Sequence, residues 1–497
     1  MTTADEHVDV LIVGAGLSGI GAAYHLQEAF PGKSYTILES RENLGGTWDL
    51  FRYPGIRSDS DMYTLGYRFK PWLGDKAIAD GDTILDYLRD TATENGIDRH
   101  IRYRHTVRRA EWSSAENRWT VRAEHGGTGE TVTLTANFVV SCAGYYRYDA
   151  GYTPEFAGTE TFGGRIVHPQ HWPGDLEVEG KRVLLIGSGA TAVTLGPALT
   201  EQGAHVTMLQ RSPSYVISLP ATDGLALRAR KFLPPKAAYA VARAKNVTLA
   251  TTVFQYSQRF PKRMRARIRG WQQRWLPPGY DIDTHFTPRY NPWDQRLCLS
   301  PDGDFFRAIR KGKLDIVTDT VETFTETGVR LVSGQRLEAD IVITATGLNL
   351  QAFGGAELVV DGVPVRMAER LAYKAMMLSD VPNLAFVVGY TNASWTLKAD
   401  LVSEYVVRLL RHMDEHGYDR CVPVHDPSVG KVPLFANFMP GYVLRAAALF
   451  PMQGDRAPWK LRMNYFRDLV ALRHGSLTDS AMRFERARER DSVPARG

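Results

Sequence analysis

The sequence has few cysteines and no long apolar run, and each absence excludes a class of protein. Its 497 residues include three cysteines, Cys142, Cys298 and Cys421, which are too scattered for a zinc cluster or a secreted disulfide framework. No stretch approaches the roughly 18 continuous apolar residues of a membrane span, and the first residues lack the basic region of a signal peptide. We therefore expect a cytoplasmic protein, with two to four domains at about 150 residues per domain.

Positive charge is concentrated in one segment. The whole chain has a net charge of +5, whereas residues 221–275 contain thirteen Lys or Arg residues and one acidic residue. Such a segment can face phosphates, anionic lipid or an acidic partner surface. It contains no recognised nucleic-acid-binding module, so we expect no nucleic-acid partner.

The amino end has the strand, glycine turn and helix pattern that is typical of dinucleotide binding. The pattern consists of a strand at 8–13, a turn with Gly14, Gly16 and Gly19, a helix at 20–29, a strand at 34–38, and Glu39. The glycines allow a tight turn and the close approach of a pyrophosphate to the helix N-terminus, and the acidic residue can accept a ribose hydroxyl. This first unit is therefore predicted to bind FAD.

The same pattern occurs a second time with one change of charge. It consists of a strand at 181–186, a turn with Gly187, Gly189 and Thr191, a helix to residue 202 and a strand at 205–209. Glu39 follows the first glycine of its unit by 25 residues and Arg211 follows Gly187 by 24, so Arg211 stands at the equivalent end of the second strand. A guanidinium beside Ser212 can bind the 2′-phosphate that a carboxylate would repel. The second unit is therefore predicted to bind NADPH, and a solvated charge at the strand end is the alternative for Arg211.

The order of the two units predicts an α/β fold in which one Rossmann-type domain is inserted in another. Strand-like runs at 138–144 and 340–347 each end in glycine and mark the crossings between the domains. The expected parts are a discontinuous FAD-binding domain of residues 1–149 and 348–497, an NADP-binding domain of residues 150–221 and 293–347, and a basic helical insertion of residues 222–292.

Within the insertion, residues 261–275 predict an amphipathic helix. Met264, Ile268, Trp271 and Trp275 recur at helical spacing on one face. We favour packing of this stripe on the core. Peripheral contact of residues 222–275 with a membrane surface is the alternative.

A longer motif points to a family. The run from Phe162 to Pro173 contains Gly164, His168 and Trp172. It matches in full the fingerprint of the type I Baeyer–Villiger monooxygenases, a branch of the class B flavoprotein monooxygenases.

Two further runs support this resemblance, which covers nearly the whole chain. Residues 45–59 and the Asp and Ala-Thr-Gly positions of 340–347 match two other motifs of the family. The runs 51–61 and 291–299 are similar to an actinobacterial subgroup that includes the ethionamide-activating monooxygenase.

The resemblance implies a reaction in two parts. NADPH reduces FAD, and dioxygen adds to the reduced flavin as a C4a-peroxide. The peroxide then inserts one oxygen atom into a ketone to give an ester or lactone, and the same site would oxidise thioethers or thioamides at sulfur. This chemistry requires a fixed cation near the peroxide and a pocket that excludes water.

The resemblance also assigns residues to this chemistry. Arg296 stands where the family keeps its catalytic arginine, and Asp59 resembles the carboxylate that orients the arginine beside the cofactor. Gly46 and Trp48 would lie near the flavin. Gln295 replaces a lysine that assists binding of the 2′-phosphate in many relatives.

The fingerprint residues are expected to be structural. By resemblance, Phe162, Gly164, His168 and Trp172 lie on the linker between the nucleotide domains, where His168 couples them and is neither an acid nor a base. His168 and His171 are three residues apart, but no carboxylate or thiol cluster accompanies them, so we expect no metal site.

Other functions stay open on the sequence alone. One is a flavin monooxygenase that mainly oxygenates sulfur, and another is a non-catalytic FAD- and NADP-binding protein at a membrane surface. A flavin disulfide reductase would need a redox-active cysteine pair, which the sequence lacks. The natural substrate and assembly into a homo-oligomer are also open.

Overall fold

The computed structural model describes residues 6–436, 438 and 440–487. The helices are α1 (Leu17–Ala29), α2 (Thr47–Leu50), α3 (Met62–Leu65), α4 (Gly81–Glu94), α5 (Ala190–Glu201), α6 (Gly224–Phe232), α7 (Pro235–Arg259), α8 (Pro261–Trp275), α9 (Ile282–Phe286), α10 (Asp304–Arg310), α11 (Trp395–His416), α12 (Gly441–Arg445) and α13 (Tyr465–Asp468).

The strands are β1 (Glu6–Val13), β2 (Tyr35–Leu38), β3 (Ile101–Arg102), β4 (His105–Ser113), β5 (Arg118–His125), β6 (Thr131–Ser141), β7 (Arg165–Val167), β8 (Arg182–Ile186), β9 (His205–Gln210), β10 (Val216–Leu219), β11 (Cys298–Pro301), β12 (Leu314–Thr318), β13 (Val321–Thr325), β14 (Gly328–Leu331), β15 (Arg336–Glu338), β16 (Ile341–Thr344), β17 (Glu357–Val360), β18 (Val363–Pro364), β19 (Ala372–Tyr373), β20 (Met377–Leu378), β21 (Leu384–Phe386), β22 (Arg420–Pro423), β23 (Lys431–Pro433), β24 (Met452–Gly454) and β25 (Met482–Glu485).

The first sheet combines strands from two separate parts of the chain. As far as the chain is described it has nine strands, in the order β18-β17-β4-β5-β6-β1-β2-β3, and β21 pairs with β6. The strand β1 is parallel to both β2 and β6. Helices α1 and α11 pack against each other, and both contribute to the largest apolar core. The chain therefore leaves this sheet after β6 and returns to it at β17, and we call the segment between these strands the excursion.

The second sheet forms within that excursion. It is wholly parallel, in the order β12-β9-β8-β16-β7, and all its strands lie in sequence between β6 and β17 of the first sheet. All four residues of β16 are buried and apolar or Thr, as expected for a strand covered on both faces. The predicted α/β class, with one Rossmann-type unit inserted in another, is confirmed, whereas the domain boundaries stay a prediction.

The helical insertion begins after β10 and ends before β11, and these two strands are neighbours. Strands β10 and β11 pair in parallel, with Val216 opposite Cys298. Residues 222–292, which are described without a gap, contain α6 to α9 and no strand. Arg296 lies just before β11, so the end of the insertion fixes its position.

Helix α8 packs much as its apolar pattern predicts. Met264 and Ile268 are buried, but Trp271 is exposed, so its predicted place in the stripe is wrong. Gln272 is buried instead and donates from Nε2 to the Val216 carbonyl at 3.1 Å. A hydrogen bond to β10 therefore orients this end of α8.

Helix α7 anchors the insertion to the first-sheet part of the molecule. The buried Arg243 donates from Nη1 to the carbonyls of Tyr63 at 2.9 Å and Gly66 at 2.7 Å. Its Nη2 donates to Asp400 of α11 at 3.3 Å. The insertion thus contacts the first-sheet part through α7 and the second-sheet part through α8. Among the described residues, no helix is both long enough and apolar enough to cross a bilayer.

Candidate active site

The first glycine turn lines one side of a cavity with backbone atoms and no side chains, and we call this surface the glycine wall. Gly14 has φ +102°, and a Cβ there would lie 2.7 Å from the Cys142 carbonyl oxygen. A Cβ at Gly19 would lie 1.8 Å from the Gly14 oxygen, so α1 approaches the turn too closely for any side chain. A Cβ at Gly16 would face the Cα of Gly46 at 3.6 Å. The backbone is therefore open to a ligand as large as a pyrophosphate.

Glu39 lies at the carboxyl end of β2 and is held by backbone groups. Its Oε2 accepts from the Ala15 amide at 2.7 Å, and its Oε1 accepts from the Arg41 amide at 2.9 Å. Burial raises the pKa of Glu39, and these two hydrogen bonds oppose that rise. The carboxylate is fixed beside the glycine turn, where a ribose hydroxyl can donate to it.

A cavity of about 1120 Å³ lies between the two sheets, at the carboxyl ends of several strands. This exceeds the roughly 300–1,000 Å³ of pockets for drug-sized ligands. The predicted site residues that line it are Gly14, Gly16, Glu39, Gly46, Trp48, Asp59, Thr191 and Arg296. The glycine wall, the carboxylate and the volume fit an FAD with space left for a second ligand.

Arg296 and Asp59 form an ion pair in this cavity. Arg296 Nη2 donates to Asp59 Oδ1 at 2.8 Å, and Arg296 Nε contacts Asp59 Oδ2. The side chains are 32% and 35% exposed. Burial would lower the pKa of Arg296, but Asp59, Tyr145 and Tyr146 outweigh burial and raise it. The pair therefore presents a permanent cation in a fixed orientation.

Aromatic side chains form the wall next to this cation. Tyr145 stacks on Trp395 with ring centroids 5.1 Å apart, and its hydroxyl lies 3.2 Å from that of Tyr146. Burial raises the pKa of both tyrosines, so both stay neutral. The roles of these tyrosines were not predicted, although they directly follow the strand-like run 138–144.

The second glycine turn also needs glycine at its first position. Gly187 has φ +143°, and a Cβ there would lie 2.3 Å from the Ala345 oxygen. A Cβ at Gly189, at the start of α5, would meet nothing within 4 Å, so a ligand can approach the helix there. Thr191, in the first turn of α5, reaches the cavity.

The residues predicted to bind the 2′-phosphate lie beside this second turn. Ser188 donates from Oγ to the carbonyl of Ser212 at 2.9 Å, which joins the turn to the end of β9. Arg211 and Ser212 are exposed, and neither lines the cavity. Their role in cofactor binding stays a prediction.

The four fingerprint residues lie outside the cavity. Phe162 is buried and packs edge-on against Phe324, and Trp172 is half-buried against the core of the second sheet. A Cβ at Gly164 would lie 2.3 Å from the Asp340 oxygen. These contacts fit a structural role.

His168 joins the fingerprint to the end of β16. Its Nδ1 accepts from the Gln170 amide at 3.2 Å, and its Nε2 donates to the Gly347 carbonyl at 3.1 Å. Burial lowers the pKa of His168, so the imidazole is neutral. The neighbouring His171 lies 3.0 Å from the Asp149 carbonyl through Nε2. Both rings are thus engaged by backbone groups.

Arg57 is a cavity residue that the sequence analysis did not single out. Its Nη1 pairs with Asp304 of α10 at 2.5 Å, whereas its Nη2 is buried without a partner among the described residues. Arg57 lies in the motif 45–59, so the motif was visible although this role was not. The Nη2 is thus a buried charged donor beside the cavity.

Two family models and a curated relative match this chain. The flavin-binding monooxygenase-like family model matches residues 77–233, and a model of the NAD(P)-binding Rossmann-like domain matches residues 12–70. The FAD-containing monooxygenase EthA of Mycobacterium tuberculosis is 58% identical to this chain over 480 residues, which make up 96% of this chain and 98% of EthA.

Two solved structures share the fold. One is an oxidized steroid monooxygenase bound to NADP, with a TM-score of 0.73 and 22% identity over 97% of this chain and 100% of the other. The other is a polycyclic ketone monooxygenase from the fungus Thermothelomyces thermophila, with a TM-score of 0.77 and 17% identity over 98% of this chain and 91% of the other. At these identities the likeness establishes the architecture.

Proposed function

The chain belongs to the FAD-containing monooxygenases, and on this premise we propose that it is an NADPH-consuming Baeyer–Villiger enzyme of the cytoplasm. It would convert a ketone, O2, NADPH and a proton into an ester or lactone, NADP⁺ and water. One oxygen atom enters the product and the other enters water. The observation that carries this proposal is the oriented Arg296 guanidinium in the cavity that the FAD-type glycine turn lines.

The residues that line the cavity fit FAD, and they would bind the cofactor and stabilise charge beside it. Bound FAD, once reduced, supplies the activation of dioxygen. Gly14 and Gly16 would give the pyrophosphate access to the start of α1, and Glu39 would accept a hydrogen bond from the ribose. Arg296 stabilises the negative charge that develops on the reacting oxygen atoms, since a fixed charged donor needs no reorganisation during the reaction. Asp59 holds the Nε–Nη2 edge of the guanidinium and so fixes its orientation.

The walls of the cavity support the same chemistry. Tyr145, Tyr146 and Trp395 present large, uncharged surfaces beside Arg296. Such surfaces keep water from a negatively charged oxygen and strengthen its attraction to the guanidinium.

The three cysteines are buried and unpaired, as expected in a reducing compartment.

Oxygen transfer to sulfur is the second candidate function. A thioether or thioamide is itself the nucleophile, so it reacts best when the departing oxygen can be protonated. The neutral hydroxyls of Tyr145 and Tyr146 are hydrogen-bonded to each other, and the one that accepts can donate its own proton to a ligand in the cavity. We therefore propose that one cavity accepts both ketones and thioethers.

The cofactor preference and a surface contact complete the proposal. Arg211 and Ser212 would select NADPH over NADH through the 2′-phosphate. Residues 222–275 would contact a membrane surface, because this stretch has the large excess of Lys and Arg.

Product analysis with labelled dioxygen tests the reaction. The FAD-loaded protein is incubated with NADPH, heavy-isotope O2, one methyl ketone and one aryl thioether, and a sample without NADPH serves as the control. Labelled ester supports the Baeyer–Villiger function, and labelled sulfoxide supports the second candidate. Peroxide with neither product, over a panel of ketones and thioethers, would contradict both.

A further inference from the structure

Exposed apolar side chains gather at the joint between α6 and α7. Residues 231–237 are all exposed. Within them Phe232 is 84% exposed, more than any other large apolar side chain in the described part of the chain, and Leu233 is exposed as well. Monomeric proteins seldom leave such groups together in water without a function.

A further leucine extends this apolar surface. Leu225 lies seven residues before Phe232, on the same face of α6, and is exposed. We call residues 225–237 the insertion tip.

The insertion tip is also positively charged. Arg228, Lys231 and Lys236 are exposed, and none has an ion-pair partner within 4.0 Å among the described residues. Asp75, an acidic side chain next to the tip, is already paired with Arg230 at 2.5 Å. The tip therefore combines apolar groups with unneutralised cations.

The other cations of residues 222–275 either have ion-pair partners, as Arg243 and Lys245 have in Asp400 and Asp223, or lie at the far end of α7 and on α8. Helix α7 has 25 residues, and at 1.5 Å per residue it separates its two ends by roughly 37 Å. Helix α8 follows the far end of α7, and its Met264 and Ile268 are buried. Trp271 of α8 is 39% exposed, whereas Phe232 is 84% exposed, so the most exposed apolar side chain of the insertion lies beside the cations of the tip.

We propose that the insertion tip binds the surface of an anionic lipid bilayer. Phe232 and Leu233 would enter the boundary between headgroups and acyl chains, and Arg228, Lys231 and Lys236 would face the lipid phosphates. A second copy of the chain is a poorer partner, because two tips would bring like charges together. The proposal narrows the membrane contact from residues 222–275 to the insertion tip at one end of that segment. Membrane binding by the tip does not depend on the oxygenation chemistry.

Vesicle flotation tests the inference with the FAD-loaded full chain. We expect binding to vesicles of phosphatidylcholine with phosphatidylglycerol, little binding to phosphatidylcholine alone, and weaker binding at high salt, because salt screens surface charges. Failure to bind the anionic vesicles, or equal binding to both kinds, would overturn the proposal.

Paired variants locate the binding surface. Changing Phe232→Asp with Leu233→Asp should weaken binding at least about tenfold, since each buried apolar side chain contributes that much or more. Changing Lys231→Gln with Lys236→Gln should weaken it about fivefold per charge. The matched control is Val332→Asp with Val363→Asp.

The control residues lie outside the insertion, between β14 and β15 and at the start of β18, and are 65% and 64% exposed, so this variant should bind like the wild type. If the control loses as much binding as the Phe232 and Leu233 variant, the tip is not the binding surface. If light scattering shows that the tip variant converts an oligomer to a monomer while vesicle binding persists, a second copy covers the tip and the proposal is wrong.

The membrane-binding proposal and the oxygenation proposal are tested by separate measurements. Labelled product is measured in solution without vesicles, where the tip variants should match the wild type. A chain that binds anionic vesicles but forms no labelled product would contradict the oxygenation proposal alone.

Discussion

Replacing Arg296 by lysine separates the charge of this site from its geometry. The guanidinium uses two nitrogens on the two oxygens of Asp59, whereas an ammonium is a single point charge without a planar fork. Losing one oriented donor at a site of developing charge costs about 10²–10³ in kcat, or about 2.7–4 kcal/mol. We expect a loss of product formation in this range for Arg296→Lys, and a similar loss for Asp59→Asn.

Folding should be little affected by either change. Because both side chains are about one third exposed, their pair contributes no more than about 1 kcal/mol to the free energy of unfolding. The matched control is Arg52→Lys, since Arg52 pairs with Asp49 at 3.0 Å but does not line the cavity.

The assay follows NADPH consumption and product together. In Arg296→Lys, NADPH oxidation should continue with release of hydrogen peroxide while labelled product falls. Unchanged product formation at normal FAD content would refute the reasoning. So would an equal loss in the Arg52 control, because the effect would then not belong to the cavity.

Four other changes test separate parts of the structure. Arg211→Ala should raise the KM for NADPH about 10- to 150-fold, the range for a lost charged hydrogen bond, with little change for NADH; equal losses with both cofactors would contradict the phosphate role. Arg57→Met should lower the free energy of unfolding in urea titrations more than Arg52→Met does, because Asp304 loses its cation, whereas Asp49 keeps Arg41 when Arg52 is removed. Arg243→Met should lower the free energy of unfolding by about 3–5 kcal/mol in urea titrations, since Asp400 is left buried without its cation; a loss no larger than that of the exposed Arg228→Met would count against this. Arg182 lowers the pKa of Asp340 to about 2, below the usual value of about 3.9. The ionised Asp340 therefore stabilises the fold above about pH 4, and this contribution disappears as the pH falls towards 2. In Asp340→Asn the free energy of unfolding, followed by circular dichroism, should fall less over this pH range, by about 1 kcal/mol at most.

Local patterns predicted the nucleotide-binding units well, because every signal in them is short-range. The helix predicted at 20–29 is observed at Leu17–Ala29, and the strand predicted at 181–186 is observed at Arg182–Ile186. In each unit the glycine turn marks the end of the strand and the start of the helix. Glu39 and Thr191 reach the cavity for the same reason.

Long-range partners had no comparable signal. Arg243 and Asp400 are 157 residues apart in sequence, and Arg57 and Asp304 are 247 apart. Nothing near Arg243 in the sequence distinguishes it from the exposed cations of the same segment. Only the fold shows that it anchors a helix while Lys231 faces solvent.

Two ion pairs of the 45–59 motif, Asp59 with Arg296 and Arg57 with Asp304, explain why the position of the Arg296 guanidinium depends on how the two sheets are placed. Asp59 and Arg57 lie on one loop of the first-sheet part, and their partners Arg296 and Asp304 flank β11 on the other side. Both pairs therefore bridge the same gap. A shift that separates the two parts must lengthen both, and it would turn the Arg296 guanidinium away from the cavity. Since Arg57 is two residues from Asp59, loss of the Asp304 pair should loosen the orienting carboxylate as well. Changes at Arg57 and Arg296 should then be non-additive, as expected for residues coupled through one loop.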